Sequence, residues 1–226
     1  MKKLILFGNG KIADVVFYYF NNDSSYKVAT FTCDRKFIAS PQFNGLPVIA
    51  FEEIEERCPP SEYCMFIATG YQDLNSLRTK KYLAAKEKGY EIISFIHPQA
   101  DFPKNVSIGE NTIIMNNAVV QPSVKIGNNV FVWGGSVIGH HSVVGDNCWL
   151  TSSTNISGNV VIGKNCFFGI NATLGHSITI GDNCFIGANA LQVKNLADDK
   201  VVIAESSKVI KLSSKDFLRF SSFTEL

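Results

Sequence analysis

The 226 residues are 46% apolar and carry 21 basic against 20 acidic side chains, a net charge of +1. That apolar content supports a substantial core in one large domain or two modest ones. The cancelling charges leave none of the basic footprint of a nucleic-acid or anionic-membrane binder, so small molecules and other proteins are the expected partners.

No apolar run is long enough to span a bilayer. The opening Met1–Phe7 is basic then apolar, but Gly8 ends it too soon for an export signal. Six cysteines without such a signal read as reduced thiols, and a cytoplasmic location is expected.

In chain order, Leu4 to Phe7 is a short buried-strand run. Gly8-Asn9-Gly10 turns the chain, and an apolar helical stretch follows through Val15, Val16, Tyr18 and Tyr19. Strand, glycine turn and helix form the start of a nucleotide-binding βαβ unit, whose first helix amides suit a diphosphate. Further strands are expected at Lys27 to Thr32, Tyr63 to Thr69 and Glu91 to Ile96, with helices near Phe51 to Arg57 and Leu74 to Lys88. They assemble naturally as a small parallel sheet. Asp34 lies just past the second strand, where an acidic ribose-binding residue sits in such units. Phe95-Ile96-His97-Pro98 marks the expected boundary, giving units 1–98 and 99–226.

Beyond the boundary the sequence repeats. Every sixth residue from Ile108 to Ile186 is aliphatic except Phe168, and the position two ahead of each is small or β-branched. This is the hexapeptide signature of a parallel β-helix. Gly109-Glu110-Asn111, Gly127-Asn128-Asn129, Gly145-Asp146-Asn147, Gly163-Lys164-Asn165 and Gly181-Asp182-Asn183 recur every eighteen residues. Three hexads therefore make one coil, and Gly and Asn turn this corner because they tolerate left-handed backbone. A three-sided prism of about five coils follows, roughly 24 Å tall. The tail from Val201 is expected to cap it. Cys148, Cys166 and Cys184 share one interior column and read as buried core thiols.

Two of the four histidines, His140 and His141, stand side by side. His140 and His176 are thirty-six residues apart and share one edge of the prism. Two coils are about 10 Å apart, whereas bonds to one zinc are about 2 Å. No histidine follows His176, and no metal site is expected.

The glycine turn, the "FIHPQA" junction, the hexads, "GHHSVVGDN", "ISGNVVIGKNCFFGINAT" and "IGANALQVKN" together resemble the hexapeptide-repeat nucleotide-sugar acyltransferases of bacteria. That group includes the bacillosamine and perosamine N-acetyltransferases and the sialic-acid O-acetyltransferases. The resemblance implies a small Rossmann-like α/β domain followed by a left-handed parallel β-helix. It also implies a homotrimer with acetyl-CoA in the groove between adjacent helices. His140 matches the catalytic histidine, and His141 stands where relatives often have an acidic residue. Gly158, Ile170 and Ala188 match positions lining the coenzyme site, and Lys194 a position near the coenzyme phosphates. For the nucleotide sugar the matches are Gly8, Gly10, Asp34 and Gly70, although Lys11 and Ile12 replace the end of the usual Gly-x-Gly-Gly-His turn. The implied activity is N-acetylation of a nucleotide-linked amino-dideoxy sugar, supplying a surface-polysaccharide pathway. An O-acyltransferase and a non-catalytic nucleotide-sensing scaffold are the alternatives.

Overall fold

The structure, a computed structural model, describes residues 2–220; residues 221–226, the end of the expected second unit, lie outside it. The first strand, β1 (Lys3–Phe7), is buried from Leu4 to Phe7, and helix α1 (Lys11–Asp23) follows. Next come β2 (Val28–Cys33), the hairpin β3 (Gln42–Phe43) and β4 (Leu46–Ala50), and helix α2 (Ile54–Arg57). The unit closes with β5 (Tyr63–Ile67), α3 (Ser76–Glu87) and β6 (Glu91–Ile92). The sheet order is β3-β4-β2-β1-β5-β6, parallel except for the hairpin.

Sequence reasoning missed the hairpin. Phe43 pairs with Leu46 across Asn44-Gly45, both at positive φ, a two-residue turn whose backbone twist suits antiparallel strands. The expected strand Glu91 to Ile96 divides between two sheets. Glu91–Ile92 ends the first sheet, while Phe95–Ile96 pairs with Ile113–Ile114 and so forms the first rung of the prism. His97, buried after that rung, lies 3.5 Å from the Asp23 carboxylate at the end of α1.

The prism has three parallel sheets whose rungs repeat every eighteen residues. The first face runs from Phe95–Ile96 to Val201–Val202 in seven rungs; the other two have five each. Inward side chains such as Ile138, Ile156, Phe168 and Leu174 are buried, and so are Cys148, Cys166 and Cys184. The tail contributes Val201–Val202 as a rung, and the chain from Ile203 to Leu212 is exposed.

Asn111, Asn129, Asn147, Asn165 and Asn183 all take φ between +52° and +62° at one corner. Each side-chain amide donates to the next Oδ1 at 2.7–3.1 Å, and Asn183 donates to Asp199. Asn111 Oδ1 accepts from the Ile67 amide at 2.7 Å, so the ladder begins at the end of β5.

The first face also carries an outward aromatic column, Phe131, Trp149, Phe167 and Phe185. Phe131 stacks on Trp149 and Phe167 on Phe185, each with centroids 4.6 Å apart. The α/β unit covers this column and shares one core with it through Phe20, Phe66 and Phe95.

Arg78 of α3 is fully buried in this seam, its guanidinium lying over the rings of Phe131 and Trp149. It donates from Nε to Asn129 Oδ1 at 3.0 Å and from Nη2 to the Asn129 carbonyl at 3.1 Å, and Nη1 reaches the Gly70 carbonyl at 3.3 Å. Burial pulls its pKa down to about 9, which still leaves it charged at neutral pH. Carbonyl dipoles and ring faces satisfy the cation instead of a carboxylate.

Candidate active site

Two concave regions hold six of the expected functional residues. The first, of about 510 Å³, opens at the carboxyl ends of β1, β2 and β5. There β2 and β5 flank β1, so connections leave in opposite directions and a crevice opens between them. Gly8, Gly10, Asp34 and Gly70 all line it. Gly8 has φ +129°, and a Cβ there would meet the Ala68 carbonyl oxygen at 2.7 Å, so only glycine lets β1 turn so close to β5. Gly10 caps α1, whose first amides face the crevice region.

Asp34 is paired with Lys81 of α3, which sequence reasoning did not single out. Lys81 also lies over the Phe7 and Phe51 rings. Only the packing of α3 against β5 and β6 brings the two charges together. Thr69, another lining residue, has a buried hydroxyl without a hydrogen-bond partner among the described residues.

The second region is a shallow hollow of about 480 Å³ on the second face, lined by Gln121, Val137, Gly139, His140, Asn155, Ile156, Ser157 and Gly158. His140 is its one ionisable side chain. Rungs Val137–Ile138, Asn155–Ile156 and Thr173–Leu174 stack in register, so the residues two places on, His140, Gly158 and His176, form one edge column. The His140 amide donates to Gln121 Oε1 at 2.9 Å, and its carbonyl accepts from the Asn159 amide at 2.8 Å.

The imidazole leans over Gly158. A Cβ on Gly158 would stand 2.6 Å from His140 Nε2, so the ring occupies space that any other residue would fill. The His176 ring centroid is 6.2 Å from that of His140, much less than two coil spacings. His140 Nδ1 lies 3.2 Å from His141 Nδ1. His141 is the corner residue itself, at φ +59°. Among the described residues, no group of three histidine, cysteine or acidic side chains is arranged to hold a metal.

The remaining expected residues surround the same face. Ile170 and Ala188 are exposed on its opposite edge, and Lys194 is exposed two residues beyond the last rung, Leu191–Gln192. His140, His141 and Gly158 are in contact; Ile170, Ala188 and Lys194 are separate from them along this wall.

The bacterial transferase hexapeptide family, in six repeats, matches residues 105–140 and 159–191. The matched residues lie in the coils of the prism. No curated protein matches the chain. Among solved structures, PerB from Caulobacter crescentus, in complex with CoA and GDP-perosamine, is 24% identical with a TM-score of 0.80, over 91% of this chain and 98% of its own. The acetyltransferase domain of PglB from Neisseria gonorrhoeae, in complex with acetyl coenzyme A, is 23% identical with a TM-score of 0.72, over 92% and 99%. WeeI from Acinetobacter baumannii is 18% identical with a TM-score of 0.67, over 93% and 100%. These likenesses establish the fold: a small α/β unit joined to a hexapeptide β-helix along nearly the whole chain.

Proposed function

We propose that the protein is an acetyl-CoA-dependent N-acetyltransferase acting on the amine of a nucleotide-linked amino-dideoxy sugar. The observation that carries this reading is the His140 ring, held over Gly158 at an otherwise uncharged hollow, with Nε2 free of any partner among the described residues. The CoA, acetyl-CoA and GDP-perosamine held by the similar structures support the donor and acceptor classes.

The amine nitrogen attacks the thioester carbonyl carbon and passes a proton to His140 Nε2. The C–S bond then breaks, and the departing thiolate takes that proton, returning the imidazole to its starting state. General-base help of this kind contributes about 10²–10⁴-fold. No acyl-enzyme is needed. Cys148, Cys166 and Cys184 are buried, their thiols donate to interior carbonyls, and burial holds Cys148 well above the usual thiol range.

Acetyl-CoA lies along the second face in this reading. Gly158 leaves room beside the thioester, Ile170 and Ala188 border the pantetheine arm, and Lys194 meets the phosphates. The fit is chemical: Ile170 is 55% exposed, and Leu191 and Val193 add exposed apolar surface for an acyl-pantetheine chain. The hollow has only one wall in a single chain, and a neighbouring copy in a homotrimer supplies the other. In the crevice of the 1–98 unit, the diphosphate lies at the α1 amides beside Gly8 and Gly10, Asp34 takes the ribose hydroxyls, and Gly70 forms the facing wall. The unpartnered Thr69 hydroxyl suits such a polar ligand. The product would supply glycan assembly in the cytoplasm.

The test is to incubate the full chain with acetyl-CoA and nucleotide sugars in matched amino and hydroxy forms, measuring the freed CoA thiol. Release is expected to need the amino form. Equal release with no acceptor refutes the proposal, and preference for the hydroxy form turns it to O-acylation.

A further inference from the structure

We infer that His141 is a positioning residue that fixes the tautomer of His140, and that it does not itself take the substrate proton. The inference rests on the proposed role of His140 as base. Its geometric basis is the 3.2 Å separation of the two Nδ1 atoms.

Two imidazoles meeting Nδ1 to Nδ1 cannot both present lone pairs. One donates an N–H and the other accepts, and the ring nitrogen left over on each takes the complementary state. A solvent-exposed histidine side chain favours the proton on Nε2. Both side chains are exposed, but His140 Nε2 sits over Gly158 inside the hollow, whereas His141 lies outside it with no partner for Nε2 among the described residues, so water satisfies an Nε2–H more readily on His141. Its Nδ1 is then the acceptor. His140 must carry its proton on Nδ1, which leaves Nε2 bare over Gly158, where a base is required.

The same contact strengthens during the reaction. As Nε2 takes the proton, His140 becomes an imidazolium and its Nδ1–H···Nδ1 bond becomes charge-assisted. Stabilisation that grows toward the transition state lowers the barrier. His176, whose ring lies 6.2 Å from that of His140, is the other ionisable side chain facing this ring, and the remaining lining residues are uncharged. Among the described residues no neighbouring carboxylate does this work: Pro122 precedes His140 in the edge column, and the amide partner is Gln121.

The backbone makes the inference testable. The corner position that His141 fills at φ +59° is held by Ser123, Asn159 and Ser177 in other coils, at φ +67°, +59° and +56°. Serine and asparagine therefore suit the conformation. Asparagine places Oδ1 as many bonds from Cα as histidine places Nδ1, and so keeps an acceptor; serine, one atom shorter, does not reach.

The experiment compares the full-length parent with His141→Ser and His141→Asn, using nitrogen NMR of ¹⁵N-histidine-labelled protein at alkaline pH without substrate, and then steady-state kinetics. In the parent and His141→Asn, His140 is expected to carry its proton on Nδ1; in His141→Ser it moves to Nε2. kcat is expected to fall about tenfold in His141→Ser, with KM for acetyl-CoA unchanged, and to recover largely in His141→Asn. An Nε2–H tautomer for His140 in the parent overturns the inference, as does an unchanged tautomer or unchanged kcat in His141→Ser. Because the tautomer is read without substrate, a parent that transfers no acetyl group but keeps the Nδ1–H form refutes the acyltransferase reading while upholding the lock.

Discussion

Alanine at position 158 tests the placement of the base with one methyl group. Its Cβ would stand 2.6 Å from His140 Nε2, 2.7 Å from Cε1 and 3.0 Å from Cδ2, all inside the 3.4 Å at which ordinary contact begins. Gly158 does not have left-handed backbone, so alanine costs the chain nothing in φ. The strain falls on the imidazole, which is exposed and can swing away once its Nδ1 contact with His141 breaks. A ring that lifts by about 1 Å is enough to cost about 10²-fold in rate, equivalent to about 2.7 kcal/mol of barrier. The assay is acceptor-dependent release of the CoA thiol, with thermal melting alongside to show that the fold is retained. Full turnover in a folded Gly158→Ala protein would refute the reasoning, because the ring would then not need the space that glycine leaves.

Three other outcomes follow from the same contacts. His140→Ala lowers turnover at least about tenfold while calorimetry shows acetyl-CoA binding nearly intact; unchanged turnover removes His140 from the chemistry. Arg78→Met strips the donors from the Gly70 and Asn129 carbonyls and from Asn129 Oδ1. It costs about 3 kcal/mol, a fall in Tm of about 6–12 °C for a chain of this size, and a melt matching the parent's contradicts it. Asn147→Ala loses the amide rungs to Asn129 and Asn165 and forces alanine to φ +62°. The conformational part costs about 1–2 kcal/mol, so alanine destabilises more than glycine at this position; the reverse order in denaturant titrations rejects the corner argument.

Much of the prism was legible because its backbone demands recur at fixed intervals. A left-handed corner every eighteen residues calls for Asn or Gly, and an inward rung calls for an aliphatic side chain. Those demands are local, and the sequence displays them coil after coil. The candidate site residues came from resemblance and not from spacing, and the structure gathers His140, His141 and Gly158 at one edge and Gly8, Gly10, Asp34 and Gly70 around one crevice. The β3-β4 hairpin was also written locally in Asn44-Gly45, although Pro47 beside it weakened the strand signal. The aromatic column at Phe131, Trp149, Phe167 and Phe185 was another available sign: outward aromatics at coil spacing mark a face that another element covers.

Other features had no local signal. Arg78 is one arginine in an ordinary helical stretch, and reads as solvated until α3 docks on the aromatic column and buries it. Lys81 reads the same way until its helix turns it toward Asp34. Phe95–Ile96 continues the apolar pattern of Glu91–Ile92, and only pairing with Ile113–Ile114 assigns it to the prism.

The sequence by itself determined the winding, the corners and the interior of the prism, because backbone conformation and side-chain inwardness depend on each residue and its near neighbours. Tertiary structure alone decided that the His140 imidazole leans over Gly158 to within 6.2 Å of the His176 ring two coils away, that His140 meets His141 through Nδ1, and that a cation is buried where the two units join. Those are contacts between side chains whose direction is set by what stands beside them in space, and spacing along a chain does not encode direction.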